Sequence, residues 1–427
     1  GNARAGAQQA EAFAAALLPN GTWPDVDYND PQDRSVWRTA VHLVRVSTMA
    51  AAVADPASPA FNDTALTATT RAALGYWLVH DPQNLNWWWD IIWTPQTISS
   101  VALMLSVTPA AGAAGFPTPF EASMSVEIMF RAAWWNASLG YEVVGANLAW
   151  MMQAQLARGL LTYAVNETAL SQGFARLWQE AKVVNRSMDF AAVEGVQVDW
   201  SYAFHGPQVQ VASYGQDESS EMLFWQGLAA NTSSYAMTSE AADVMCSFWA
   251  RGASFMAIGR AFDWTTCGRQ VSRPGMNAEF GVTLNATALG DFSSLCSDPD
   301  DAAALAAWAA SLPDTPQSNA VVGARIFYTV DFAVARRPAW VATLRMHSNR
   351  TAVPECGNGE NLKGRYMGEG ALSVYLTNCS APGTCGYELA NVFPVLNWSM
   401  IAGTVSRASV PVPDCDTACC WLAEIST

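Results

Sequence analysis

Through roughly the first 300 positions, apolar residues recur three and four apart, the period of a helix that buries one face. "SVWRTAVHLVRVSTMAAAVA" (Ser35 to Ala54) is the clearest run, and Asp55-Pro56 stops it, since proline cannot continue a helix. "TALTATTRAALGYWLVH" opens on Thr64, the expected cap, and Pro82 follows it. The same period runs through "QTISSVALML", "FEASMSVEIMFRAAWW", "ANLAWMMQAQLARGLLTYAV", "ETALSQGFARLWQEAKVV", "ESSEMLFWQGLAANTSSYAM" and "EAADVMCSFWARGASFMAI". Such an array of helices and loops of similar length can curl into a toroid of helix pairs; an ordinary bundle is the plainer alternative.

The pattern changes near Pro313. "DTPQSNAVVG" (Asp314 to Gly323) has linker composition. Beyond it, "ARIFYTVDFAVARRPAWVATLRMHS" is β-branched and aromatic, with Arg336-Arg337-Pro338 where a hairpin turns, and "ALSVYLT" (Ala371 to Thr377) forms another strand. The expected fold class is therefore α+β multidomain: a helical domain over 1–312, then an antiparallel β domain over 313–427. The closing "VPVPDCDTACCWLAEIST" does not read as a finished sheet, so the β domain is expected to be incomplete.

Composition narrows the class. Apolar residues are 51% of 427, enough for large cores. No apolar run approaches the roughly 20 residues a membrane span needs. The net charge of −15 argues against nucleic acid or an anionic membrane as partner. The charge is uneven: Arg260 to Arg365 holds ten basic and ten acidic residues, so the remaining 12 basic and 27 acidic residues carry the whole −15. A neutral, arginine-rich region can still receive an anionic ligand; scattered ion pairs are the bland alternative.

Ten N-x-Ser/Thr sequons, at Asn20, Asn62, Asn136, Asn166, Asn185, Asn231, Asn285, Asn349, Asn378 and Asn397, exceed the roughly three expected by chance. The nine cysteines all lie at or beyond Cys246. "CSAPGTC" (Cys379 to Cys385) would close a short loop, "CDTACC" crowds Cys415, Cys419 and Cys420, and one cysteine is left over. Sequons and cysteines together point to a secreted, N-glycosylated, disulfide-bearing protein. The cysteine spacings do not match a zinc ribbon, and no metal is expected. The apolar run near the start lacks the basic flank and cleavage site of a secretion signal, so the chain is expected to be a mature form or a fragment.

Five stretches carry candidate chemistry. In "NLNWWWDIIWTP", the consecutive Trp87, Trp88 and Trp89 point in three directions, so at least one is expected at a surface or cleft. Flat rings stack on the apolar faces of sugars; core packing is the alternative for any single ring. Asn147, in "EVVGANLAW", follows Gly-Ala and by itself reads as a helix cap. "FHGPQVQVASYG" holds His205 and Tyr214, nine residues apart. Histidine titrates near neutrality and suits proton transfer. Tyrosine, with an ordinary pKa of about 10, becomes a base only if positive charge stabilises its phenolate. "CGRQVSRPG" supplies such charge through Arg269 and Arg273, four residues apart, unless both are plain surface arginines. "PECGNGENLKGRYMGEG" is a glycine-rich loop between strands whose Glu355 would hold an arginine in place.

Taken in order, these stretches resemble polysaccharide lyase family 8, the chondroitin AC, hyaluronate and xanthan lyases. The resemblance runs from about Asn84 to Thr404 and is carried by "NWWW", "HGPQ" with Tyr214 beyond it, "GRQVSR" and "NGENLKGRY". It implies an incomplete α/α toroid followed by an antiparallel β-sandwich, with a cleft at their junction. It also implies roles. Asn147 would hydrogen-bond a uronate carboxylate, and His205 would assist proton transfer or stabilise that carboxylate. Tyr214 would take the proton from carbon 5 and return one to the leaving oxygen. Arg269 would keep the tyrosine acidic and Glu355 would orient the arginine. Trp87, Trp88, Trp89, Arg273 and Asn358 would bind sugar. The family's β region continues beyond the end of this chain, which implies a fragment or a short variant.

The implied reaction is β-elimination on an acidic, uronate-containing polysaccharide such as chondroitin or hyaluronan. The proton on carbon 5 is weakly acidic, and neutralising the adjacent carboxylate lowers the barrier; one aimed donor is worth about 3 kcal/mol. No cofactor is required, and the enzyme is expected to work as a monomer. Two alternatives stand beside it. A glycoside hydrolase would need two carboxylates about 5–10 Å apart, with Asp199 and Glu355 the candidates. A carbohydrate-binding protein would keep the groove without turnover.

Overall fold

The computed structural model describes residues 2–30, 36–133, 143–161, 167–184, 194–259, 261–273, 286–312, 321–376, 393, 395–401 and 403. The chain divides into two compact units, one of residues 1–143 with 147–173, the other of 144–146 with 174–427.

The first unit is helical. It contains α1 (Asn2–Ala16), α2 (Val41–Ala54), α3 (Thr64–His80), α4 (Thr94–Ser106), α5 (Pro109–Ala113), α6 (Pro119–Phe130) and most of α7 (Gly145–Leu161), and it ends within α8 (Glu167–Trp178). The periodic positions do bury one face: Leu43, Val46, Met49, Ala50 and Val53 of α2 are inaccessible to solvent. The cap of α3 is Asp63, one residue before the expected Thr64; its carboxylate accepts from Leu66 N at 2.7 Å. A carboxylate serves there better than a hydroxyl because it also complements the helix dipole. α6 starts with a capping box between Thr118 and Glu121.

The second unit adds α9 (Gln216–Ala229), α10 (Ser239–Ser247), α11 (Ser254–Met256), α12 (Ala286–Leu295) and α13 (Pro299–Ser311). Short strands β1 (Val183–Val184), β2 (Gly195–Gln197) and β3 (Tyr202–Ala203) form one small sheet, and β4 (Ala257–Ile258) pairs with β5 (Ala261–Phe262). Periodicity gave no sign of these strands, which are two or three residues long. The main sheet is antiparallel, in the order β6 (Gly323–Phe327), β7 (Phe332–Arg337), β8 (Trp340–Arg345), β9 (Ala371–Leu376). Arg337 pairs with Trp340, which sets the β7–β8 turn at the expected proline. A helical region followed by an antiparallel sheet is thus the observed class.

The sheet joins the helical segments of its unit through polar contacts. Asp263 accepts from Thr343 Oγ1 at 2.5 Å and Tyr375 OH at 2.8 Å. Arg336 donates to the carbonyls of Phe255 and Ala257 at 2.9 and 2.6 Å. These buried groups are hydrogen-bonded, which limits the cost of desolvating them. The opposite face exposes Ile326, Leu372, Val374 and Leu376.

A disulfide joins Cys246 to Cys296, Cys356 is also disulfide-bonded, and Cys267 is a buried free thiol. The clusters at Cys379/Cys385 and Cys415/Cys419/Cys420, and most of the expected linker, lie outside the described residues.

Candidate active site

Four of the expected residues, from segments up to 150 positions apart, meet in the second unit. The local chain explains how. His205 and Gly206 both adopt positive φ, +54° and +82°. For a histidine that conformation costs of order 1–3 kcal/mol and needs support from its surroundings. Glu194 supplies it, accepting from His205 N at 2.8 Å and also from Gly206 N. Gln208 donates to the His205 carbonyl at 3.0 Å and accepts from Glu355 N at 3.0 Å, so one side chain ties both ends of the site. Tyr214 follows in a π-helical turn, Val211–Gly215, a feature frequent at functional positions. Its ring stacks on Phe204 at 4.2 Å and meets the His205 ring edge-on at 4.7 Å.

Arg269 lies on a 3-10 turn, Gly268–Ser272. Gly268 has φ +54°, and a Cβ there would collide with the Gln210 amide. The guanidinium spreads over three partners: Nη1 to Glu355 Oε2 at 2.9 Å, Nε to Glu360 Oε2 at 3.2 Å and Nη2 to Tyr214 OH at 3.3 Å. His205 Nδ1 lies 2.6 Å from Glu355 Oε2. A contact that short with a carboxylate requires the proton on Nδ1, so Nε2 carries the ring's remaining chemistry. Gln210 Nε2 donates to the other Glu355 oxygen at 2.9 Å. The two glutamines of "HGPQVQ" therefore both serve Glu355.

Burial pushes the Glu355 carboxyl up, but His205, Arg269 and the hydrogen bonds from His205 and Gln210 outweigh it and hold it well below the usual range. It is a permanent anion. Tyr214 behaves differently. Burial raises it most, Glu355 and Asp217 add to that, and Arg269 and Arg273 pull the other way; the result is pushed up to about 12. Arg269 pulls the phenol down and burial outweighs it, because desolvating a phenolate costs more than one guanidinium returns.

The other expected residues fall as follows. Arg273 joins the cluster through Glu360, with Nε 2.7 Å from Oε1 and Nη2 3.2 Å from Oε2. Asn358 is half-buried, with φ +56°, in a turn closed by Gly357 and Glu360. Asn147 is not a cap: α7 begins two residues earlier, and its Oδ1 is buried with no hydrogen-bond partner among the described residues. Gly145 starts that helix at φ +58°, where a Cβ would strike Phe204. Trp87, Trp88 and Trp89, in the first unit, are all half-buried. Trp88 meets Trp89 and Trp150 edge-to-face, and Trp89 meets Trp37 and Trp93. Asp90 accepts from Asn84 N at 3.0 Å and pins the loop before them. Asp199, the hydrolase candidate, is spent on Ser201 and Thr329, accepting from Thr329 N at 2.9 Å and Thr329 Oγ1 at 2.8 Å. Among the described residues, no three His, Cys, Asp or Glu side chains gather as a metal cage requires. Sequence reasoning missed Glu360, Glu194, Gln208 and Gln210; for Glu360, the Asn-Gly pair just before it is a turn signal that was available.

Comparison with known proteins identifies the family. A family model described as "Polysaccharide lyase family 8, N terminal alpha-helical domain" matches residues 4–306, and one described as "Polysaccharide lyase family 8, super-sandwich domain" matches 322–423. A chondroitinase-AC of Pedobacter heparinus is 29% identical over 408 residues, 93% of this chain and 52% of the relative. A hyaluronate lyase of Thermasporomyces composti is 24% identical over 403 residues, 85% of this chain and 48% of that protein. The solved structure of a chondroitinase AC lyase in oligosaccharide complexes superposes with a TM-score of 0.73 at 26% identity, covering 93% of this chain and 54% of that one. The chain thus spans about half the length of the relatives it matches. With most of its length matched by the helical-domain model alone, this chain belongs to polysaccharide lyase family 8.

Proposed function

We propose that the protein is a polysaccharide lyase that cleaves a uronate-containing, glycosaminoglycan-like polymer by β-elimination. The contact of Arg269 with Tyr214, beside the His205–Glu355 pair, carries the reading. In this scheme the Tyr214 phenolate takes the proton from carbon 5. The electron pair forms the double bond between carbons 4 and 5, and the bond from carbon 4 to the bridging oxygen breaks. That oxygen then receives the proton from Tyr214. Arg269 stabilises the phenolate and Glu355 orients both Arg269 and His205. His205 and the Asn147 amide neutralise the carboxylate, which makes the carbon 5 proton easier to remove. Arg273, Asn358, Trp87, Trp88 and Trp89 bind sugar.

No helix among the described residues is long and apolar enough to cross a membrane. We place the protein outside the cell, as an N-glycosylated monomer. The sequons that fall on described residues, Asn20, Asn62, Asn231, Asn349 and Asn397, are all exposed, which supports glycan attachment. The helical domain is taken as 1–312 and the β domain as 313–427. The hydrolase reading has lost its carboxylate pair, since Asp199 is saturated by hydrogen bonds and Glu355 by Arg269, His205 and Gln210.

The test is a panel of uronate polymers, including hyaluronan and chondroitin, followed by the ultraviolet absorbance of the new double bond. Turnover in the wild type and none in Tyr214→Phe is expected. Binding without turnover in either would favour the carbohydrate-binding alternative.

A further inference from the structure

We propose that Glu360 is a positioning residue whose single carboxylate holds Arg269 against Tyr214 and Arg273 ready for substrate; the assignment rests on the lyase reading above. Glu360 is only 9% exposed, and both oxygens are engaged: Oε1 by Arg273 Nε, Oε2 by Arg273 Nη2 and Arg269 Nε. A planar guanidinium needs two anchors to fix its orientation. For Arg269, Glu355 holds Nη1 and Glu360 holds Nε, which leaves Nη2 aimed at the phenol. Without Glu360 the plane can pivot about its Glu355 contact. Arg273, whose side chain is 39% exposed, would lose its bidentate partner outright.

The position of Glu360 is itself fixed locally. Gly357 N donates to Glu360 O at 3.2 Å and Glu360 N to Gly357 O at 2.9 Å. The residues between them, Asn358 and Gly359, have φ of +56° and +78°, the conformation that Asn-Gly favours in a tight hairpin turn. One turn therefore carries a proposed sugar ligand at its tip and the arginine anchor at its exit. Substrate affinity, through Arg273, and proton transfer, through Arg269, then depend on one side chain.

The test uses the full chain with ring-labelled tyrosine. The Tyr214 NMR signal is assigned from its loss in Tyr214→Phe, and its titration is followed beside kcat and KM. The charged groups acting on that phenol include Arg269, Arg273, Glu355 and Asp217, and the titratable His205 ring meets it edge-on at 4.7 Å. Glu360→Gln is expected to raise KM and lower kcat by about tenfold each, and to move the Tyr214 titration to higher pH as Nη2 drifts away. In an Arg273→Ala background, Glu360→Gln should leave KM alone and still move Tyr214. Glu360→Asp, which keeps the charge and shortens the reach, should give an intermediate shift and serves if the glutamine variant fails to fold. A Tyr214 titration that is unmoved or moves down in the folded variants overturns the assignment, as does a KM effect that persists without Arg273. If the wild type opens no uronate polymer yet Tyr214 shifts as stated, the lyase reading fails and the role of Glu360 stands.

Discussion

The cluster around Tyr214 and the tryptophan segment at Trp87–Trp93 are both rich in aromatic surface, yet they are built on different principles. Around Tyr214, residues from three separated segments meet through charged hydrogen bonds of 2.6–3.3 Å. Each guanidinium nitrogen of Arg269 has a named partner. Within the segment the tryptophans touch edge-to-face at centroid distances of 5.2–5.3 Å, and Trp37 and Trp150 pack on them in the same way at 5.8 and 5.7 Å. The Trp89 indole nitrogen is buried without a hydrogen-bond partner among the described residues. Directional charge pairs fail when one member is lost, because the partner remains buried and uncompensated. Ring packing degrades in proportion to the surface removed. The first region is therefore suited to setting a reaction geometry and the second to offering a tolerant surface.

Substitutions test that contrast, and the largest effect is expected at the phenol. Tyr214→Phe should lower kcat by about 10⁴-fold, the upper range for a general base, with melting temperature little changed. Glu355→Gln comes next. It leaves Arg269 and His205 facing a neutral amide, and should lower kcat by about 10²–10³-fold and unfolding stability by about 3 kcal/mol, measured kinetically and by denaturant titration.

A smaller change follows from pH alone. With Tyr214 pushed up to about 12, the phenolate fraction grows as pH rises. The logarithm of kcat/KM should then climb with a slope near one across pH 7–9, a total of about 100-fold. A profile that falls across that range would show that another group supplies the base.

Trp88→Ala should raise KM by about tenfold and leave kcat within about twofold, since it removes stacking surface and no charge. A fall in kcat as large as that of Glu355→Gln would erase the distinction between the two regions. The mildest expectation is Trp93→Phe, which keeps an aromatic against Trp89. It should cost under about 1.5 kcal/mol of stability and leave both kinetic constants unchanged.

Much of this was legible in the chain, for particular reasons. The helices and the β6–β9 hairpins carry strong periodicity and a proline turn, so their type was readable even where Asp63 replaced Thr64 as the cap. The tryptophan run was readable because it is contiguous. His205, Tyr214, Arg269 and Glu355 were recognised through motif order, and they do meet. The supports were not readable. Gln208 and Gln210 alternate with valine as ordinary strand residues would, and nothing local marks Glu194 or Glu360 as partners of groups 11 and 91 positions away.

What the sequence by itself determined is the inventory: where helices give way to strands, which residue types can move a proton, and which segments turn. Tertiary structure decided which of those residues share one low-dielectric site and what that sharing does to them. Burial pushed the Tyr214 phenol up, while His205, Arg269 and Gln210 keep Glu355 an anion in spite of its burial, because desolvation and neighbouring charge act through space, where separation along the chain carries no weight.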